Sequence, residues 1–319
     1  MRWVTFTTEH HSSPLCGILI GDVLHALPEE TTLLDLLRTH GTDLEEPARS
    51  AEVQPYLTVP YEAATILSPI PNPPTIRDFY SFEQHVKTAR KQRGLDMEPD
   101  WYNLPVFYFT NPYATTAPNT DIPIPPGTHE LDYELEVAAI LGGEGTNLTP
   151  EEAQSLIAGY CIMNDWSARD IQRREMKLSM GPVKGKDFAT TLGPWMTTPD
   201  ELADLVKGHS YDLTMTATVN GKEYSRASLA DIYWSFPELI SYASRGTVVK
   251  PGDVIGSGTC GTGCIYELSL VHGTTRYPWL KEGDIVTLSV DRLGSISNRI
   301  VRGPELHELR PQGVAHETA

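Results

Sequence analysis

Cysteine is scarce in this chain, with four residues in 319, at positions 16, 161, 260 and 264. No two of them stand as CxxC, so a zinc ribbon is not encoded, and four cysteines cannot frame a disulfide scaffold of this length. Reduced thiols are expected. Positive charge is the second shortage: 25 Lys and Arg stand against 42 Asp and Glu, for a formal net charge of −17. Such a surface repels phosphate backbones, which excludes nucleic acid as an expected partner. No apolar run approaches the roughly 20 residues that span a bilayer. The opening MRWVTFTTEHHSSP lacks the apolar segment of a signal peptide. The expectation is a cytoplasmic protein without membrane contact. Also missing are a GxSxG elbow, which argues against a serine hydrolase, any solenoid-period repeat and any low-complexity tract.

What remains is the composition of a folded chain, 40% apolar and 21% charged, long enough to bury a large core. Residues 15–27 read as a hairpin, LCGILI and VLHAL about a Gly21-Asp22 turn. TLLDLLRTHG reads as a helix capped by Thr32 and stopped by Gly41. Prolines at 69, 71, 73 and 74 stiffen the next stretch and place a boundary near residue 67. Two domains are expected, a small N-terminal α/β domain over 1–66 and a larger one over 67–319. SFEQHVKTARKQRG predicts a helix with Ser81 and Gln84 as a capping box and Gly94 at its end. Residues 95–130 read mostly as loop. ELEVAAIL predicts a strand, TPEEAQSLIAGY a helix capped by Thr149 with Glu152, and SARDIQRREMK a helix capped by Ser167. After residue 210, LTMTATVN, TVVKPGDVIG, CIYELSLV and GDIVTLSV read as strands, and Gly252-Asp253 and Gly283-Asp284 as ordinary turns. No βαβ alternation suggests a Rossmann sheet, and the larger domain is β-rich.

Strand alternation puts Glu134 and Glu136 on one face, with Leu135 and Val137 on the other. Two adjacent carboxylates repel unless a cation or a shared proton relieves them. Asp132 shares that face, where it either adds charge or is solvated. Asp165, between an apolar run and the Ser167 helix, is placed to aim into a cleft. Three carboxylates without a His or Cys cluster suit a hard cation, Mg²⁺, Mn²⁺ or Ca²⁺. His85 falls in the first turn of a helix, where the dipole disfavours imidazolium and leaves the neutral ring that a general base requires. Two glycine motifs fail their context. GSGTCG (256–261) has the GxGxxG spacing but precedes a strand-like segment, and GPVKGKD has neither P-loop spacing nor Ser or Thr after its lysine.

In order along the chain, LDYELEVAAILG, MNDWSARDIQ, GPVKGKDF, ATTLGPW, PGDVIGSGT and EGDIVTL resemble the fumarylacetoacetate hydrolase family. The resemblance runs from about residue 67 to the C-terminus, and residues 1–66 resemble the variable small domain that precedes this fold in some members. It implies an α+β, mainly β fold, a mixed β-roll or distorted barrel, assembled as a homodimer. It also implies a divalent metal, Mg²⁺ first, bound by Glu134, Glu136 and Asp165, with Asp78 of RDFYSFEQH as a fourth ligand. His85 of the same motif becomes a base paired with Glu267. Lys186 and Gln172 face developing negative charge, and Tyr80, Tyr108 and Thr259 contact substrate. No arginine for a distal substrate carboxylate is evident beyond Arg90 or Arg93. The implied activity is hydrolysis of a C–C bond in a small keto acid, a 1,3-diketo acid or acylpyruvate. The alternative within the family is isomerisation, decarboxylation or hydration and dehydration of a 2-oxo acid through a metal-bound enolate. A non-catalytic ligand-binding protein is the reading outside it.

Overall fold

The computed structural model describes residues 1–92 and 94–309 of the chain. Its first strands are β1 (Arg2–Thr8), β2 (His11–Ile20) and β3 (Val23–Ala26). Leu19 faces Leu24 and Ile20 faces Val23 across Gly21-Asp22, so the predicted hairpin is formed. The turn needs Gly21, whose φ of 57° lies in the left-handed region that side chains disfavour. Helix α1 (Leu33–His40) starts where expected, with the Thr32 hydroxyl accepting Asp35 N–H, and ends at Gly41. Helix α2 (Glu45–Val53) and strand β4 (Leu57–Pro60) follow. The proline-rich segment then leads into β5 (Ile76–Phe79) and α3 (Glu83–Gln92). The predicted Ser81 cap is not made, because the Ser81 hydroxyl is buried without a hydrogen-bond partner. The span expected to be loop contains β6 (Phe107–Thr110), paired antiparallel to β5. Neighbour pairing supplied an order that local composition did not announce.

Next come β7 (Leu131–Asp132), β8 (Leu135–Leu141), α4 (Pro150–Gln154) and β9 (Ile157–Asp165). The Thr149–Glu152 capping box forms, but the helix stops at Gln154, and LIAGY enters the sheet instead. Then β10 (Ser167–Ala168) and α5 (Arg169–Met176) appear. Ser167 does not cap α5. Its hydroxyl donates back to the Asp165 carbonyl, because Ser167 is itself paired in a strand opposite Asp132. Strands β11 (Thr190–Thr197), β12 (Thr214–Val219) and β13 (Lys222–Ser228) precede helix α6 (Phe236–Ala243) and β14 (Val254–Gly256). CIYELSLV, expected as a strand, is helix α7 (Ile265–His272). Cys264 accepts Glu267 N–H at its start and Gly273 closes it. Ile265, Glu267, Leu268 and Ser269 are all buried, so buried positions, two of them polar, lie on several sides and no clean helical period shows. Strands β15 (Ile285–Val290) and β16 (Gly294–Val301) complete the described elements.

The long sheet runs β4-β3-β2-β1-β11-β9-β8-β14-β5-β6, open at β4 and β6, with two short strands added off this path. Along this path neighbours are antiparallel except β14, which lies parallel to β5. A second, five-stranded sheet contains β13, β12, β15 and β16. The fold is thus mainly β with mixed sheets. Strand β8 is buried on both faces. Leu135, Val137, Ala139 and Leu141 join the large core with the second sheet, while Ala138 and Ile140 pack with α1 and the N-terminal strands. Glu134 and Glu136 belong to the second set by alternation, which places them inside the protein.

The β5–β14 junction is held by a buried ion pair. Arg77 Nη1 reaches Asp253 Oδ2 at 3.0 Å and Thr75 Oγ1 at 2.8 Å, and Thr75 donates to Asp253 Oδ1 at 2.8 Å. Asp253, read from sequence as an ordinary turn residue, is therefore a buried anchor. Asp253→Ala strands the guanidinium and is expected to lower stability by about 3–5 kcal/mol in urea unfolding. A loss below about 1 kcal/mol would show that water reaches Arg77 there.

Candidate metal centre

Four carboxylates from three segments meet at one end of β8. Asp78 sits on β5, Glu134 just before β8, Glu136 on β8 and Asp165 at the end of β9. Each offers an oxygen within 4.8 Å of the others, and all four are buried. Register explains the convergence. Glu136 is opposite Met163, so Asp165, two residues on, shares its face. Gly256 stands between β8 and Asp78, and a Cβ there would lie 2.5 Å from Asp78 Oδ1. Gly258 N–H donates to the same oxygen at 3.2 Å, from a backbone at φ 77°. The first two glycines of GSGTCG therefore serve close approach to a carboxylate.

Lys186 is buried against the cluster and donates to Glu134 Oε2 and Asp165 Oδ2. Tyr108 donates to Asp165 Oδ2 at 2.5 Å, and Thr259 donates to Glu136 Oε1 at 3.3 Å. Arg169 Nη2 donates to Glu134 Oε1 at 2.6 Å. Burial, and then Asp165, push Asp78 well above the usual carboxylate range. Burial and then Asp78 do the same to Glu136. For Glu134 burial acts upward too, but Arg169, Lys186 and His85 together outweigh it and hold it low. Burial lowers the Lys186 ammonium pKa, yet Asp165 and Glu134 outweigh that and raise it, so the side chain is a fixed cation.

These residues suit a hard divalent cation. The donors are all oxygens, and their 4.8 Å spread is twice a bond of about 2.4 Å. Glu136 Oε2 and Asp165 Oδ1 are buried with no hydrogen-bond partner, which leaves acceptors ready for a metal. One lysine and one arginine facing four carboxylates leave the group short of positive charge.

His85 enters from the first turn of α3, and its Nδ1 lies 3.0 Å from Glu267 Oε2 on α7, both side chains being buried. Glu267 Oε2 also accepts Thr262 N–H at 2.9 Å, so the carboxylate is fixed from two sides. The Tyr80 ring stands edge-on to His85 at 5.7 Å. His85, Glu134 and Cys264 also offer donor atoms within 4.8 Å of one another, which sets the imidazole directly beside the carboxylate cluster. That trio shares Glu134 with the four-carboxylate cluster and is not assigned as a separate cation site. Gln172 reaches the group through Arg169, accepting from Nη1 at 3.1 Å.

All eleven residues singled out from the sequence thus lie in one connected group. Arg90 does not join it. Its Nε donates to the Asp96 carbonyl at 2.6 Å and its guanidinium turns toward Glu98. Arg93 lies outside the described residues. Sequence reasoning missed Arg169, a buried cation between Asp132 and Glu134, and it left Asp132 undecided. The signal was present, because a basic residue set between Asp165 and Asp170 is a natural counter-charge. An open concavity of about 710 Å³ lined by Arg2, Trp195, Arg226 and Arg292 shares no residue with this centre.

Known proteins show the same arrangement of sequence. The fumarylacetoacetate (FAA) hydrolase C-terminal family model matches residues 75–301. The chain is 30% identical over 290 residues to fumarylacetoacetase of Oryza sativa subsp. japonica, covering 72% of this chain and 66% of that protein. The chain therefore spans just under two thirds of that relative's length. It is 33% identical over 174 residues to oxaloacetate tautomerase YisK of Bacillus subtilis (strain 168), covering 54% and 53% of the two chains. Among solved structures, a fumarylacetoacetate hydrolase from psychrophilic Exiguobacterium antarcticum superposes with TM-score 0.74 at 24% identity, covering 95% of this chain and all of that one. Maleylpyruvate hydrolase from Sphingobium sp. SYK-6, in complex with manganese(II) and pyruvate, superposes with TM-score 0.70 at 21% identity, with coverage of 95% and 100%. These two structures share the fold. By its family match over most of its length, the chain belongs to the fumarylacetoacetate hydrolase family, whose enzymes act on small molecules.

Proposed function

We propose that this protein hydrolyses a C–C bond in a 1,3-diketo acid or acylpyruvate, with His85 as base. The observation that carries this reading is the buried His85–Glu267 contact beside carboxylates suited to a divalent cation. Asp78, Glu134, Glu136 and Asp165 would hold that cation, Mg²⁺ first and Mn²⁺ or Ca²⁺ next. Bound there, it would supply Lewis-acid polarisation and a template for the substrate's oxygens. The manganese and pyruvate in the Sphingobium structure support that pairing of metal and keto acid.

The protein's own groups do the proton work. Glu267 accepts from His85 Nδ1–H, fixing the tautomer that leaves Nε2 free to take a proton from water. The resulting hydroxide adds to a carbonyl carbon, the adjacent C–C bond breaks, and the carbon fragment that leaves with the electron pair takes up a proton. Lys186 and Arg169 are buried cations within reach of negative charge that develops at this place, and Gln172 is held by Arg169. Tyr80, Tyr108 and Thr259 border the same space and are assigned to substrate contact.

A second reading, tautomerisation of a 2-oxo acid, is favoured by the 33% identity to the Bacillus tautomerase. It needs proton transfer without water addition, and the same His85 could perform it. The two separate in one assay. The purified protein is given acylpyruvates, fumarylpyruvate, fumarylacetoacetate and oxaloacetate with Mg²⁺ or Mn²⁺, then with EDTA. Cation-dependent appearance of two acids is the expected result. Enol–keto exchange of oxaloacetate with no cleavage of any diketone would replace the hydrolase reading by the tautomerase one.

A further inference from the structure

The geometry points to Asp132 as a positioning residue that locks the His85–Glu267 dyad to the cation-binding carboxylates. This inference rests on the function proposed above. Asp132 is fully buried on β7 and touches neither the four-carboxylate cluster nor His85 as ligand or base. It has two sets of partners instead. Its Oδ1 accepts Ile265 N–H at 2.7 Å and its Oδ2 accepts Tyr266 N–H at 2.9 Å. These are the first two N–H groups of α7, which no partner inside the helix can satisfy. Glu267, the next residue, is the dyad carboxylate. On its other side Asp132 Oδ2 accepts Arg169 Nε at 2.8 Å, and Arg169 Nη2 continues to Glu134 Oε1 at 2.6 Å.

One carboxylate therefore joins the helix that carries Glu267 to the arginine that holds Glu134. Local pairing tightens this connection, since Glu134 bridges Cys264 and Leu135 N–H donates to Gly263 O at 2.9 Å. The cap of α7 supplied by Cys264 is weak, a sulfur accepting Glu267 N–H at 3.4 Å. Without Asp132, the backbone bridge at Cys264 and that sulfur cap are left to orient the first turn of α7 relative to Glu134.

Asp132→Asn keeps the shape but turns an NH₂ group toward either the helix donors or the guanidinium. Ile265→Pro is the second variant. It removes one N–H that Asp132 accepts, at a first helical position where proline is tolerated, and follows Cys264, which is already extended. It leaves Asp132, Arg169 and Glu134 intact. Two readouts are combined. The first is the downfield proton resonance of the His85 Nδ1 hydrogen bond, assigned by its disappearance in His85→Ala. The second is kcat for each variant on the wild-type and His85→Ala backgrounds. The resonance is expected to vanish or broaden in both variants. Turnover should fall about tenfold or more on the wild-type background but less than about threefold where the dyad is already gone. Mn²⁺ affinity should hold in Ile265→Pro.

A resonance unchanged in a folded variant overturns the proposal, and so do equal losses of kcat on both backgrounds. Should Asp132→Asn not fold, Ile265→Pro alone decides. Should His85→Ala keep its activity while the resonance still responds to Asp132→Asn, the hydrolase reading falls and the positioning role stands.

Discussion

His85→Ala is expected to lower turnover at least about 100-fold, the lower end for loss of a general base, with the divalent cation still bound. The argument is geometric. His85 is buried with one ring nitrogen committed to Glu267 at 3.0 Å, and the ring lies beside Glu134. No other histidine among the described residues belongs to this group; His209, for instance, bonds the Ile232 carbonyl at 2.9 Å. Removing the ring leaves Glu267 buried with the Thr262 N–H as its remaining partner, at a stability cost of about 1–3 kcal/mol. Cation affinity should change little, because His85 is not among the four carboxylate donors. Calorimetric titration with Mn²⁺ beside steady-state kinetics separates the two effects. Near-normal hydrolysis by the cation-loaded variant would falsify the assignment of His85 as base.

Glu136→Gln is expected to do the reverse: it weakens cation binding and stabilises the cation-free protein. Glu136 is fully buried, and one of its oxygens has no hydrogen-bond partner. Burial, and then Asp78, hold its carboxyl well above the usual range. Losing a direct ligand should weaken Mn²⁺ by about 100-fold or more, since outer partners of metal ligands alone are worth 10–100-fold. The stability sign follows from linkage. Below the ordinary carboxylate range both folded and unfolded states are protonated and the acid behaves like its amide. As pH rises past that range the unfolded chain releases its proton while the folded, cation-free chain retains it, so stability is lost until the raised folded pKa is passed. The amide of the Glu136→Gln variant carries no such proton and escapes this loss. Thermal unfolding in EDTA should therefore show a gain for the variant that grows with pH, and the order should invert when Mn²⁺ stabilises only the wild type. Wild-type cation affinity should itself rise with pH, because Asp78 and Glu136 must shed protons to bind. A variant destabilised equally with and without cation would make Glu136 a structural acid instead.

The chemistry-bearing residues were legible because their types and spacings are local facts. The i, i+2 spacing of Glu134 and Glu136 puts both on one face of any strand, and the strand formed. Thr32 and Gly41, and Thr149 with Glu152, bound helices through bonds that span three or four residues. The family motifs brought in Asp78, His85 and Glu267 from distant parts of the chain. Local pattern failed where a segment is buried on several sides. CIYELSLV has no polar face in either period, and only its seat against Asp132 and the core makes it a helix. Ser81 and Ser167 have the chemistry of caps, yet burial of one and strand pairing of the other took them out of that role.

By itself, then, the sequence determined the inventory of carboxylates, the histidine, the cations and the strand that carries two of the acids. Tertiary structure decided who neutralises whom. Arg169, four residues beyond Asp165, bridges Asp132 and Glu134 across more than thirty residues of chain, and Asp253 meets Arg77 across 176. Buried charge must find an opposite charge wherever the fold brings one near, and that search is made in space, which the order of residues along a single chain does not display.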